Sequence, residues 1–168
     1  AVAPINLYGA TKLCSDKLFI ASNNYIGKKN ISFSIIRYGN VMGSRGSVLP
    51  VFLDQKKSGT VTLTHKNMTR FNILMEDCIK MAIWSLKNAH GGEIFVPKIP
   101  SFKIKDLAKV VTPECKVKYI GIRSGEKIHE EMITGNESQD IIDTGKYYVL
   151  LPGKDFAQRK KYSKFKRI

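Results

Sequence analysis

The stretch ISFSIIRYGNV at residues 31–41 decides the fold class. Its centre, Phe33 to Ile36, is nearly continuous in aromatic and β-branched residues, which favour extended backbone. A strand with one wet face alternates polar and apolar residues, whereas one buried on both faces reads as an apolar run. The stretch therefore predicts a strand inside a parallel sheet. Before it, Leu7, Ala10, Leu13, Cys14, Leu18 and Ala21 recur at three- and four-residue steps, predicting a helix from residue 6 to about 26. Gly27, inside GKKN, closes that helix. Helix, short turn and buried strand in this order form an α/β signature.

The pattern continues downstream. GSRGS reads as a loop, VLPVFLDQKKSG as a short helix ending at Gly59, and TVTLTHKN as a half-exposed strand. Residues 75–88 predict an amphipathic helix with Met75, Cys78, Ile79, Ala82, Ile83 and Leu86 on its buried side. GGEIFVPKI is a turn and strand, KIKDLAKVV a helix, KVKYIGI a strand and GEKIHEEMI a helix start. Periodicity ends after Pro152.

The chain has 168 residues, 43% hydrophobic and 10% aromatic, a globular composition of one domain or half of a larger one. No apolar run approaches the ~18 residues of a membrane span, and AVAPINLYGA lacks the pattern of a secretory signal. Cys14, Cys78 and Cys115 are widely spaced, which argues against a zinc site or disulfide framework and for a reducing cytoplasm. Of the net charge of +14, six charges lie in KDFAQRKKYSKFKRI, where seven Lys/Arg face one acidic residue. A solvated basic tail is the plain reading; interleaved aromatics in KKYSKFK leave a nucleic-acid patch as the alternative. His65, His90 and His129 show no metal-ligand spacing. His90 suits a helix C-terminus, and Cys14 falls on a helix face expected to pack inward.

NLYGATKL places Tyr8 and Lys12 four residues apart, on one helix face. A free phenol, with a pKa near ~10, is a poor base at neutral pH, and a nearby cation stabilises its phenolate. The pair suits removal of a proton from a hydroxyl, although Tyr-x-x-x-Lys also arises by chance.

PINLYGATKL, IIRYGNVMGSRGS, MTRFNI, HGGEIFVPKIPSFKIKDLA and IGIRSGEKIHEEMI, taken together and in this order, resemble the extended short-chain dehydrogenase/reductase family over residues 1–150, in its nucleotide-sugar branch. The resemblance implies the C-terminal part of an NAD(P)-binding Rossmann-like doubly wound sheet plus a smaller mixed α/β substrate domain. It further implies NADP-dependent 4,6-dehydration of UDP-N-acetylglucosamine with inversion at C5: oxidation at C4, loss of water across C5–C6, then reduction at C6. Tyr8 would be the base, and Lys12 would hold the nicotinamide ribose. Val41 would lie beside the nicotinamide, and Asn40 would contact the UDP-sugar. Arg45, Arg70 and Arg123 would meet the diphosphate or ribose, Thr64 the uridine, and Glu126 sugar or ribose hydroxyls. The plain alternatives are a turn residue for Asn40, a solvated loop residue for Arg45, and structural ion pairs for Arg70 and Arg123.

The family places a glycine-rich dinucleotide turn more than a hundred residues upstream of this segment and an Asp-Lys elimination pair just before it. It also continues beyond YYVLLP. The resemblance thus implies a C-terminal half with little activity alone. Expected divisions are residues 1–60 in the Rossmann-like part, 61–152 in the substrate region, and a disordered basic tail from 153 to 168. A homo-oligomer is expected of the full-length protein. The competing readings are a UDP-sugar 4-epimerase or a retaining dehydratase of the same family, and a non-catalytic basic binding module.

Overall fold

The computed structural model describes residues 2–151 and 156–168. Two compact units emerge. The first comprises Ala1–Tyr38, Ile79–Lys98 and Glu131–Ile168; the second comprises Gly39–Cys78 and Ile99–Glu130. The division does not fall at residues 60 and 152. Short strands from separate stretches of sequence share each core, so the chain passes between units four times.

In the first unit, helix α1 (Leu7–Ser22) starts at Asn6, whose side-chain oxygen accepts a hydrogen bond from the Gly9 amide at 2.8 Å. At its other end Asn23 exchanges two hydrogen bonds with the Phe33 backbone, both 2.9 Å, fixing the turn into strand β1 (Ile35–Ile36). Strand β1 runs parallel to β5 (Ile94–Pro97). The sheet continues antiparallel through β9 (Tyr147–Leu150), β8 (Ile141–Asp143) and β10 (Lys166–Arg167). One face packs Met81, Phe95, Ile142, Val149 and Tyr162; the other packs Ile94, Val96, Ile141 and Leu150.

In the second unit, β2 (Asn40–Val41) pairs parallel with β4 (Thr69–Ile73), and β4 antiparallel with β6 (Ser101–Lys103). A separate parallel pair joins β3 (Thr60–Leu63) to β7 (Lys116–Tyr119). Helices α2 (Val48–Lys56) and α4 (Ile104–Val111) cover a core of Phe52, Val61, Leu63, Met68, Ile104 and Ala108. Helix α3 (Met75–Asn88) begins in this unit and ends in the first, with Glu76 and Asp77 at its N-terminal turn and Lys87 at its last.

Several expectations need correction. The stretch 31–41 is two short strands in different sheets, and Ile35 and Ile36 are half-buried, because β1 has a single neighbour, β5. Helix α3 buries Cys78, Met81 and Ser85, while Met75, Ile79, Ala82, Ile83 and Leu86 are exposed. The helix carries two apolar stripes, and the core takes the one through Met81. Cys14 is exposed, together with Leu7 and Leu18 on α1. Residues 125–133 form turns rather than a helix. The Ile128 carbonyl accepts from the Thr69 amide at 3.0 Å and from Arg70 at 3.2 Å, so it is spent on β4. The expected disordered tail carries a helix, α5 (Phe156–Lys161), and the edge strand β10; its first residues, 153–155, lie outside the described residues.

Candidate functional site

Tyr8 and Lys12 occupy the first two turns of α1, where Asn6 caps the helix and leaves both side chains exposed. The Lys12 ammonium nitrogen stands 5.6 Å from the Tyr8 ring centroid, within cation–π range. One turn beyond Lys12, Asp16 accepts a hydrogen bond at 2.9 Å from Nε of Arg37, the residue that follows β1. The other side of the guanidinium pairs with both carboxylate oxygens of Glu137, at 2.9 and 3.0 Å, and one nitrogen also donates to the Met132 carbonyl at 3.3 Å. A single buried guanidinium thus joins the helix bearing Tyr8 to β1 and to the 3-10 turn Gly135–Asp140. Burial disfavours both charges, yet the Arg37 pKa is raised by its carboxylate partners, and the Glu137 carboxyl is held below its ordinary range by bonds from Arg37 and Thr134.

The second unit holds a cavity of about 200 Å³. Val48, Phe52, Leu63, Met68, Ile104 and Ile120 supply an apolar wall, and Asn40, Thr64, Arg70, Asn72, Arg123 and Glu126 supply polar groups. Arg70 is fixed before any ligand arrives: it donates to the Thr69 carbonyl at 2.7 Å and to the Ile128 carbonyl at 3.2 Å, and stands 3.9 Å from the Glu126 carboxylate. The other Glu126 oxygen accepts from the Arg123 amide at 3.2 Å. Ser47 precedes the first turn of α2, where caps usually bond the helix amides, yet makes no such bond. Its hydroxyl oxygen is buried and unpartnered among the described residues, and it lines the cavity. A helix N-terminus with an unengaged hydroxyl is suited to an anion.

Of the residues singled out from sequence, Asn40, Thr64, Arg70, Arg123 and Glu126 meet in this cavity. Val41 and Arg45 are not among its lining residues; Val41 is half-buried in β2, and Arg45 is exposed between Gly43 and Gly46, both at positive φ. Tyr8 and Lys12 belong to the first unit. Sequence reasoning missed Ser47, Asn72 and Gln55. The Ser-x-x-x start of α2 was the available signal for Ser47. Gln55 reveals itself only through its two bonds to Thr62, at 2.8 and 2.9 Å. His90 follows the end of α3; its amide donates to Glu93 at 2.8 Å and its ring meets Tyr162 edge-on. Among the described residues no His/Cys/Asp/Glu group could hold a metal ion, and no helix is long and apolar enough to cross a membrane.

The parallel pair β1–β5 beside a Tyr-x-x-x-Lys helix agrees with the extended short-chain dehydrogenase/reductase class, to which likeness to known proteins assigns the chain. Within it, the chain belongs to the polysaccharide biosynthesis protein family, which matches residues 1–152. It is 48% identical over 161 residues to the UDP-N-acetylglucosamine 4,6-dehydratase (inverting) of Campylobacter jejuni, covering 95% of this chain and 48% of that protein. It is 37% identical over 161 residues to the UDP-glucose 4-epimerase of Rickettsia bellii, covering 92% of this chain and 47% of the relative. The structure of Pen from Bacillus thuringiensis superposes with a TM-score of 0.85 at 33% identity, over 91% of this chain and 50% of that one. The chain thus spans about half the length of the relatives it matches.

Proposed function

We propose that the chain serves the 4,6-dehydration of UDP-N-acetylglucosamine, with NADP as the nicotinamide cofactor and inversion at C5. The observation that carries this reading is the cavity of the second unit. It sets an apolar wall against two arginines and the unengaged Ser47 hydroxyl at the start of α2, the donor set a nucleoside diphosphate requires. The likeness to the Campylobacter jejuni dehydratase supports the choice of sugar and reaction.

Arg123 and Ser47 meet the diphosphate, and Arg70, immobilised by backbone carbonyls, presents a pre-set guanidinium. Thr64 faces the uridine, and Asn40 and Glu126 accept or donate to sugar and ribose hydroxyls. Arg45 approaches from the glycine loop. Tyr8 removes the C4 hydroxyl proton, while Lys12 steadies the phenolate and holds the ribose. An exposed phenol and ammonium on adjacent helical turns suit a ribose and a neighbouring hydroxyl, and the family resemblance assigns Val41 to the nicotinamide. A bound nicotinamide supplies the hydride acceptor and donor. Three unpaired cysteines support a cytoplasmic setting, and the exposed apolar residues of α1 support association between copies.

Two measurements test the reading. UDP titrated into this chain by calorimetry binds, and Arg123→Ala weakens that binding about ten- to a hundredfold, the worth of a charge-assisted hydrogen bond. Joined to the upstream half of the Campylobacter jejuni relative, the chain yields a UDP-4-keto-6-deoxy sugar, and Tyr8→Phe slows turnover by roughly 10²–10⁴. Alone it binds UDP without turnover. Unchanged activity in Tyr8→Phe overturns the assignment. The Rickettsia relative favours a 4-epimerase as the second reading; a UDP-N-acetylgalactosamine product without loss of water would establish it.

A further inference from the structure

The basic C-terminal segment is an ordered part of the first unit. Tyr162 is 3% exposed, packed with Met81 and Phe95, and its hydroxyl donates to the Asn88 carbonyl at 3.0 Å, with Glu93 at 3.2 Å. Phe165 packs against the same core, strand β10 pairs with β8, and the Ile168 amide donates to the Ile141 carbonyl at 3.0 Å. What remains outside is a run of cations: Lys160, Lys161, Lys164, Lys166 and Arg167 are all exposed, with no acidic residue from 158 to 168.

This arrangement changes which polyanion the segment fits. Single-stranded nucleic acid is held by aromatic rings on which bases stack, and here Tyr162 is buried and Phe165 is half-buried against the core, with the Lys164 ammonium 5.1 Å from its ring centroid. Base-edge and phosphate recognition favours forked arginines, whereas four of these five cations are lysines, compact point charges. Edge strands are often blunted by lysine, but Lys160 and Lys161 belong to helix α5 and not to the edge strand β10. An ordered, lysine-rich helix–turn–strand complements the negative headgroups of an anionic membrane surface.

We propose that the segment 159–168 is a docking surface for an anionic lipid bilayer, holding the protein against the membrane without spanning it. The proposal is independent of the catalytic reading. The test is co-sedimentation of the full chain with phosphatidylcholine vesicles containing or lacking phosphatidylglycerol. Retention is expected only with phosphatidylglycerol and falls as salt rises. K160Q/K161Q/K164Q lowers the partition coefficient about a hundredfold and K160E/K161E/K164E by more, each losing affinity in proportion to the charge removed. The control K28E/K29E/K109E changes the net charge equally and leaves retention intact. Circular dichroism confirms that each variant is folded. Absence of retention on phosphatidylglycerol, equal loss in the control, or preference for duplex or single-stranded DNA over the vesicles overturns the proposal.

Discussion

Arg37 ties three separate stretches of the first unit together. Its guanidinium side chain is 7% exposed and bridges Asp16 and Glu137, themselves 19% and 18% exposed. Removing one partner from a largely buried ion network leaves the others desolvated and unpaired, which costs about 3–5 kcal/mol. Arg37→Met should therefore consume much of a stability that totals about 5–15 kcal/mol in ordinary domains; urea unfolding measures it. Glu137 adds a pH dependence. Its folded carboxyl titrates below the ordinary value, so its stabilisation is complete above the unfolded pKa near ~4.3 and is lost as pH falls through the depressed folded value. The urea midpoint of the parent protein should fall on acidification below that region, and Glu137→Gln, weaker at neutral pH, should fall less. At this scale it was the family resemblance rather than residue type that picked out Asn40, Thr64, Arg70, Arg123 and Glu126, and all five line one cavity. Ser47 was not legible in the sequence, because an uncapped hydroxyl becomes notable only once the absence of its usual helix bond is seen.

Between β1 and β2 the chain closes on β4 so tightly that Gly39 has no room for a side chain. A Cβ there would lie 2.2 Å from the Phe71 carbonyl oxygen, and backbone cannot move aside as a flexible side chain can. Gly39→Ala should separate β2 from β4, costing about 1–3 kcal/mol by overpacking, and shift Asn40 and Asn72, paired across those strands. Thermal unfolding should show the loss, and UDP calorimetry a weaker site. Element types were readable from pattern. The helix at 75–88 and the strand at TVTL, with its alternating burial, follow directly from apolar spacing. Partners were not: the same spacing left two candidate faces on α3, and only Phe95 and its neighbours decide between them. A long apolar run likewise predicts extended backbone without saying that Gly39 will hand it from one sheet to another.

At the scale of the whole molecule, the first unit is built from three distant stretches, and the last of them is held by a buried carboxylate. Glu93 is fully buried and accepts from the His90 and Gly91 amides, each 2.8 Å, from Ser34 at 2.7 Å, and from Tyr162 at 3.2 Å. The tail was misread from sequence because charge density hides two aromatic anchors, Tyr162 and Phe165, whose partners lie some seventy residues earlier. Burial, reinforced by the Glu93 charge and the hydrogen bond to it, pushes the Tyr162 hydroxyl well above the ordinary tyrosine range. A raised folded value means that the contribution is complete below the unfolded pKa near ~10 and is lost as pH rises toward the folded one. The parent protein should lose stability above about pH 10, while Tyr162→Phe should start about 1–2 kcal/mol lower, through its lost hydrogen bonds, and decline less steeply. Truncation after Leu151 is the stronger form of the same argument. It strips Tyr162 and Phe165 from Met81, Phe95, Ile142 and Val149 and removes the strand paired to β8. Loss of one large buried aromatic alone costs about 3–5 kcal/mol, so hydrogen exchange in β5, β8 and β9 should accelerate by several orders of magnitude. Unchanged protection in those strands would show that the segment is an appendage after all.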